Sequence, residues 1–100
     1  MNDEDLKKRT KALAVRVIRL AEALPRSPTA NIIGAQLIRC GTSVGANYRA
    51  ACRARSRPDF IAKMGIVEEG CDEVIYWMEL TIELGVMDAG RLADLIAEGN

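Results

Sequence analysis

Histidine is absent from the whole chain. With it go the commonest general base, the commonest metal ligand and the usual charge switch near neutral pH. Glu69 and Glu73 would suit a carboxylate metal centre in a helical bundle, but the di-iron pattern needs Glu-x-x-His on two helices. No metal and no cofactor is therefore expected. No catalytic residue can be nominated either, for want of a phosphate loop or a paired nucleophile and base, and the chain reads as a non-enzyme. Cysteine is scarce. Cys40, Cys52 and Cys71 are odd in number, far apart and without a C-x-x-C pair, so no disulfide is expected. Each falls on or beside an apolar stripe, where a free thiol behaves as a small hydrophobe. Aromatic residues make up only 4% of the chain, which leaves little to stack on nucleic-acid bases. Long apolar runs are missing as well. The longest uncharged stretch, Ser27 to Ile38, is interrupted by Pro28, Asn31 and Gln36 and is too short to span a bilayer. The acidic start, Asp3-Glu4-Asp5, lacks the apolar core of a secretory signal. No membrane association is expected, and the cytoplasm is the expected compartment.

What is present describes one globular domain over residues 1–100. The chain is 49% apolar and 28% charged, ordinary values for a protein that buries a core. Its formal charge is zero, but the charges are segregated. Residues 1–38 hold seven basic and four acidic groups, net +3. Residues 39–63 hold six basic groups against Asp59 alone, net +5, and residues 64–100 hold Arg91 against nine carboxylates, net −8. A basic middle and an acidic last third predict a polarised surface.

No segment alternates as a strand would, and almost every long segment repeats its apolar residues at three-and-four spacing. An all-α fold follows, with four helices packed up and down as an antiparallel bundle. The first runs from about Asp3 to Leu24, with Leu6, Leu13, Val17, Leu20 and Leu24 as its inner stripe. Pro25 ends it, and Ser27 with Pro28 caps and opens the next. The second spans about Pro28 to Arg53, with Ile33, Leu37, Cys40, Val44, Asn47 and Ala51 facing inward. Gly34, Gly41 and Gly45 share an adjacent face, either to let another backbone approach or to kink the helix near Cys40. The third runs from Pro58 to about Leu84 along Phe60, Met64, Val67, Cys71, Val74 and Met78. A second line of Ile66, Trp77, Leu80 and Leu84 predicts burial on more than one side, as a central helix or one that meets another subunit. Gly85 and Asp88 bracket the start of a fourth helix through Leu92, Leu95 and Ile96, which has only about ten residues. Either it packs as a stub or the natural chain continues it; the second is the preferred explanation.

Two features invite a functional reading. Arg49, Arg53, Arg55 and Arg57, with Lys63 beyond, form a basic segment, and guanidinium groups bind phosphate bidentately. A nucleic-acid backbone is one candidate partner; the other reading is a solvated patch paired with the acids of the third helix. Tyr48 is the one aromatic near it, so recognition of backbone or shape is expected over sequence. Asn47 occupies a core-register position, where it either fixes helix register or contacts a ligand, and Glu69 and Glu73 are its expected partners. Trp77 is expected to pack.

The segments Leu37-Ile38-Arg39, Thr42-Ser43-Val44-Gly45-Ala46-Asn47-Tyr48, Phe60-Ile61-Ala62-Lys63-Met64 and Glu73-Val74-Ile75-Tyr76-Trp77-Met78-Glu79-Leu80 follow one another in a specific order. From about Ala12 to Leu84 they resemble the family of 23S rRNA intervening-sequence proteins. The resemblance implies a four-helix bundle assembling into a homopentameric ring, in bacteria, without known enzymatic activity and with a molecular role largely unassigned. Members are encoded in insertions within 23S rRNA genes or stand alone. A related branch partners reverse transcriptase in diversity-generating retroelements and binds nucleic acid. It also marks Ser43, Asn47, Lys63, Glu73 and Trp77 as signature residues. Two departures are expected to matter: Gly70, which should weaken the third helix, and the short fourth helix, which puts bundle closure and ring assembly in question. Self-association, RNA or DNA, and a protein partner are all expected as binding classes.

Overall fold

In a computed structural model, described over residues 2–98 with Glu98 by its backbone alone, the chain forms four helices and no strand among the described residues. These are α1 (Asp3–Ala23), α2 (Pro28–Cys52), α3 (Arg57–Glu83) and α4 (Ala89–Glu98). Met1, Gly99 and Asn100 lie outside the described residues.

Local chemistry sets the ends of the helices. Each of the first three begins on a side chain that accepts from an otherwise orphaned backbone amide. Asn2 accepts from the Asp5 amide at 2.9 Å, Ser27 from Ala30 at 3.1 Å and Ser56 from Asp59 at 3.2 Å. Asp88 does the same for α4, accepting from the Arg91 amide at 2.8 Å. α3 closes on Gly85 at φ 68°, a left-handed conformation that a side chain would resist. The Gly85 and Val86 amides then donate back to the carbonyls of Ile82 and Thr81, each at 3.0 Å, which is the Schellman arrangement.

Close approaches between helices fix their directions. Along α2, Gly34 faces Ala21, Gly41 faces Val17 and Gly45 faces Thr10, so α1 runs antiparallel to α2. On the other flank, Val44 and Ser43 face Gly70 while Arg39 reaches Glu73, so α3 is antiparallel too. α2 is therefore the central helix, with α1 and α3 on its two sides, and α4 returns to pack on α1. The glycines of α2 serve close approach. The helix is one continuous element from Pro28 to Cys52, with Gly34, Gly41 and Gly45 all set against α1. Gly70 has the same role on α3. It is buried against Val44 Cγ2, which a methyl there would approach to 3.1 Å, and α3 continues through it to Glu83. The expected weak point is thus a packing point. Gly65 differs, since an added methyl meets nothing within 4 Å. Gly65→Ala is expected to stabilise the protein by about 0.5–1 kcal/mol, through helix propensity alone, as a thermal melt would show.

One core cluster joins Val17, Leu20, Ile33, Leu37 and Cys40 to Val74 of α3 and to Met87, Leu92 and Leu95. α4 therefore packs with both of its leucines buried. A second cluster, Val44, Tyr48 and Val67 with Leu6, Met64 and Cys71 around it, lies toward the other end.

The expected stripe of α3 holds only in part. Met64, Val67, Cys71, Val74 and Met78 face inward, whereas Phe60 is exposed because no helix reaches far enough to cover it. The second apolar line is covered only in part: Trp77 packs against the core cluster and Leu80 is half-buried, whereas Ile66 and Leu84 are exposed. Ile61, Ile75 and Ile82 are exposed on the opposite flank. α2 is the main helix packed along α3, and these flanks lie outside that contact. Between them runs an acidic ridge of Glu68, Asp72, Glu79 and Glu83, all exposed.

Candidate nucleic-acid interface

The turn between α2 and α3 concentrates the basic segment. Arg49 lies in the last turn of α2, Arg53 caps that helix, Arg55 sits in the loop and Arg57 opens α3. All four are exposed. Among the described residues none of them forms an ion pair, so the expected pairing with acids of α3 is not made. The cause is geometric: the acidic ridge of α3 points away from α2, while the arginines gather at one end of the bundle. A guanidinium without a carboxylate partner keeps its donors for an incoming anion.

Lys63 stands apart from the four. Its ammonium is 2.6 Å from Asp59 one turn earlier. The Lys63 hydrogen bond is the main reason the Asp59 carboxyl is held below its ordinary range; the Arg55 amide, donating at 3.4 Å, adds to the effect. At neutral pH the charge of Lys63 is therefore answered inside the chain, which leaves the arginines as the open cations of this segment.

Tyr48, the aromatic nearest in sequence, is only 3% exposed and belongs to the second core cluster. Its hydroxyl donates to Asp3 at 3.3 Å, which ties α2 to the start of α1. Burial, followed by the neighbouring Cys52, pushes its pKa upward. No base can stack on it. The sequence reading passed over Tyr76, which is 54% exposed beside Trp77, the ring centroids 5.3 Å apart at 78°. That edge-on arrangement is a packing pair and offers no flat double platform.

The signature residues lie on the α2–α3 seam. Ser43 donates to the Cys40 carbonyl at 2.9 Å and presents its small side chain to Gly70. Asn47 is half-buried and donates to the Ser43 carbonyl of its own helix at 2.9 Å. The expected bonds from Asn47 to Glu69 or Glu73 are not formed: Glu69 is exposed, and Glu73 pairs with Arg39 and accepts from the Trp77 indole at 3.4 Å. Gln36 in turn accepts from Arg39 Nε at 2.8 Å. The Arg39–Glu73 pair is substantially solvated, with side chains 55% and 38% exposed, so it is worth little to the fold. Glu73→Gln is expected to cost less than about 1 kcal/mol in a denaturant titration while changing the emission of Trp77, the single tryptophan.

Cys40, Cys52 and Cys71 are free thiols. Burial raises the pKa of Cys40 and of Cys71, the latter helped by Asp72 and Glu68, so neither is poised as a nucleophile. Among the described residues no group of three or more potential ligands stands close enough to hold a metal ion, and no helix is long and apolar enough to cross a membrane.

No curated protein matches the chain. A solved structure from Bacteroides thetaiotaomicron, described as a protein of unknown function from the S23 ribosomal protein family, is similar at 32% identity. The likeness covers 99% of this chain and 88% of that one, with a TM-score of 0.84. The bundle and its antiparallel order thus belong to a shared architecture. A family model described as 23S rRNA-intervening sequence protein matches residues 2–100, and the chain belongs to that family.

Proposed function

We propose that this chain is a non-enzymatic, self-assembling protein that binds the phosphate backbone of nucleic acid through Arg49, Arg53, Arg55 and Arg57. The observation that carries the reading is the exposure of all four at one end of the bundle without an ion pair among the described residues. Lys63 contributes to the field of this surface but, held by Asp59, is no primary contact. With Tyr48 buried and the Tyr76–Trp77 pair edge-on, affinity comes from charge and carries little base information.

Assembly is the second half of the reading. The two apolar flanks of α3, with Ile66 and Leu84 on one and Ile61, Ile75 and Ile82 on the other, suit burial against further copies. A homopentameric ring, as the family resemblance implies, would repeat the arginine segment on each copy. Several weak phosphate sites then act together through avidity. The test is fluorescence anisotropy with labelled RNA and DNA, single- and double-stranded, on protein of measured mass. Salt-sensitive binding lost in the R49E/R53E/R55E/R57E variant supports the proposal, and binding that persists unchanged sinks it.

A second reading rests on the same flanks and the acidic ridge between them. The chain would then be a protein-interaction scaffold or accessory subunit, whose arginines meet the ridge of α3 on a neighbouring copy. In that case the arginine variant lowers the assembled mass, and the parent protein shows no nucleic-acid binding at low salt.

A further inference from the structure

The strongest run of one charge sign in the chain lies outside the arginine segment. Residues 7–19 contain Lys7, Lys8, Arg9, Lys11, Arg16 and Arg19 and no acid. Folded into α1, this run divides by face. The apolar residues Leu13, Val17 and Leu20 turn to the core, and Lys8, Lys11 and Arg19 stand exposed on the outer side with Ala12 and Val15 between them. Lys7 is drawn to Glu4 at 3.4 Å and is not part of this outer row. Acids border the row only at its ends: Asp3, Glu4 and Asp5 in the first turn, beside Tyr48 and the end of α2, and Glu22 in the last.

The antiparallel pairing of α1 and α2 joins this row to the arginine segment. Thr10 of α1 packs on Gly45 of α2, which brings Lys11 and Arg49 to the two sides of one cleft of about 280 Å³. Its lining is otherwise small, with Ala14, Gly45 and Ala46 between Thr10 and Thr42. Both hydroxyls are turned to carbonyls of their own helices: Thr10 donates to Leu6 at 2.9 Å and Thr42 to Ile38 at 2.7 Å. Donors toward an occupant of the cleft are therefore left to Lys11 and Arg49, and among the described residues neither has an acidic partner.

We infer that the outer face of α1 continues the arginine segment as a single phosphate-backbone track, running from Arg19 through Lys8 and Lys11 to Arg49 and the α2–α3 turn. The inference rests on the nucleic-acid reading above and extends it to a face that reading does not use. From Lys8 to Arg19 a helix rises roughly 16 Å, the length of about five backbone phosphates on one strand. The chemistry of the face selects this partner over others. A protein partner would be gripped by buried aromatic or aliphatic anchors, and the outer row offers only one exposed large apolar side chain, Val15. An anionic membrane surface would need a broad apolar face to sink into it, and none accompanies these cations. Spaced, unpaired charges on a rigid rod fit a polyanion, whose contacts need charge and little else.

The test compares three proteins by anisotropy with a labelled RNA duplex and a labelled DNA duplex, from about 50 to about 200 mM salt. They are the parent chain, R49E/R53E/R55E/R57E, and a K8E/K11E/R19E variant whose helicity is verified by circular dichroism. The three α1 positions are exposed, so the fold is expected to survive. Losing three phosphate contacts should weaken binding at least about tenfold and flatten the plot of log affinity against log salt by roughly 2–3. A K8R/K11R variant should restore parent behaviour at those two positions, because the charge is kept. If the α1 variant binds like the parent while the arginine variant does not, the track is overturned and the proposed function stands. If the parent binds neither duplex, the track on duplexes falls, and the proposed function falls with it if single strands are not bound either. If the α1 variant loses binding only because its assembled mass has dropped, the row is a contact between copies and the inference is wrong. Whether RNA or DNA is preferred is read from the two duplexes and leaves the track itself intact.

Discussion

Replacing Gly41 with alanine is expected to destabilise the protein by about 1–3 kcal/mol, although the same change in an open helix would stabilise it. The added methyl would stand 2.7 Å from Val17 Cγ1 and 2.9 Å from Val17 Cβ. Neither atom can swing aside. Valine has one strongly preferred rotamer in a helix, and its Cβ moves only with the backbone. Val17 is 1% exposed, so α1 must slide or lift from α2 to make room. Lifting α1 also disturbs Leu20, which is fully buried in the same cluster. For a domain of this size the melting temperature should fall by about 4–8 °C per kcal/mol. The companion Gly65→Ala change should raise it, and the opposite signs separate packing from propensity. Combining Val17→Ala with Gly41→Ala should recover part of the loss, since two of the three close atoms are removed. Additive losses in that double variant would show that the crossing point lies elsewhere.

Reversing Arg49, Arg53, Arg55 and Arg57 to glutamate is expected to have the largest effect on binding. Four phosphate contacts correspond to a salt slope steeper by about 3–4, so a fourfold rise in salt weakens the parent roughly a hundredfold more than the variant. The reversal also repels the backbone, and binding at physiological salt should fall below detection. The stability cost is small because the sites offset one another. Glutamate at Arg49 and Arg53 opposes the negative end of α2, whereas at Arg57 it favours the positive end of α3, each by about 0.3–1 kcal/mol. A glutamine series at the same four positions separates lost attraction from added repulsion. An unchanged salt slope in both series would remove the arginines from the interface.

Much of the fold is legible in the residues. Ser27, Ser56 and Asp88 cap helices where their chemistry says they should, and Gly85 stops α3 in the left-handed turn that suits it. Helical periodicity separates Leu37, Cys40 and Val44 as core. It fails at Phe60 and along the second apolar line of α3, because a period reports which side is apolar and not whether a neighbour covers it. The glycines of α2 left two readings open for a related reason: the helix lying across Gly41 is not written in its own segment. The register of Asn47 points it at partners on α3, but an amide can close on the carbonyl four residues back, and here it does. The arginine segment was visible as a local excess of charge, whereas its freedom from ion pairs depends on where the ridge of α3 points. The row on α1 was missed because summing residues 1–38 mixes the acidic first turn with the basic stretch behind it. A window matched to residues 7–19, read for face, would have found it.

α1 packs on α2 and α2 on α3, each helix folding back on its neighbour in sequence, and only α4 returns to the far end of the chain. The first three helices thus need little loop closure, which favours rapid formation of a hairpin pair before the ends meet. α4 spans the long separation and is held by little more than Leu92, Leu95 and the Met87 turn. It is therefore the last part to dock and the first to leave, a small cooperative unit whose backbone amides should exchange with solvent through partial opening while those of α2 wait for global unfolding.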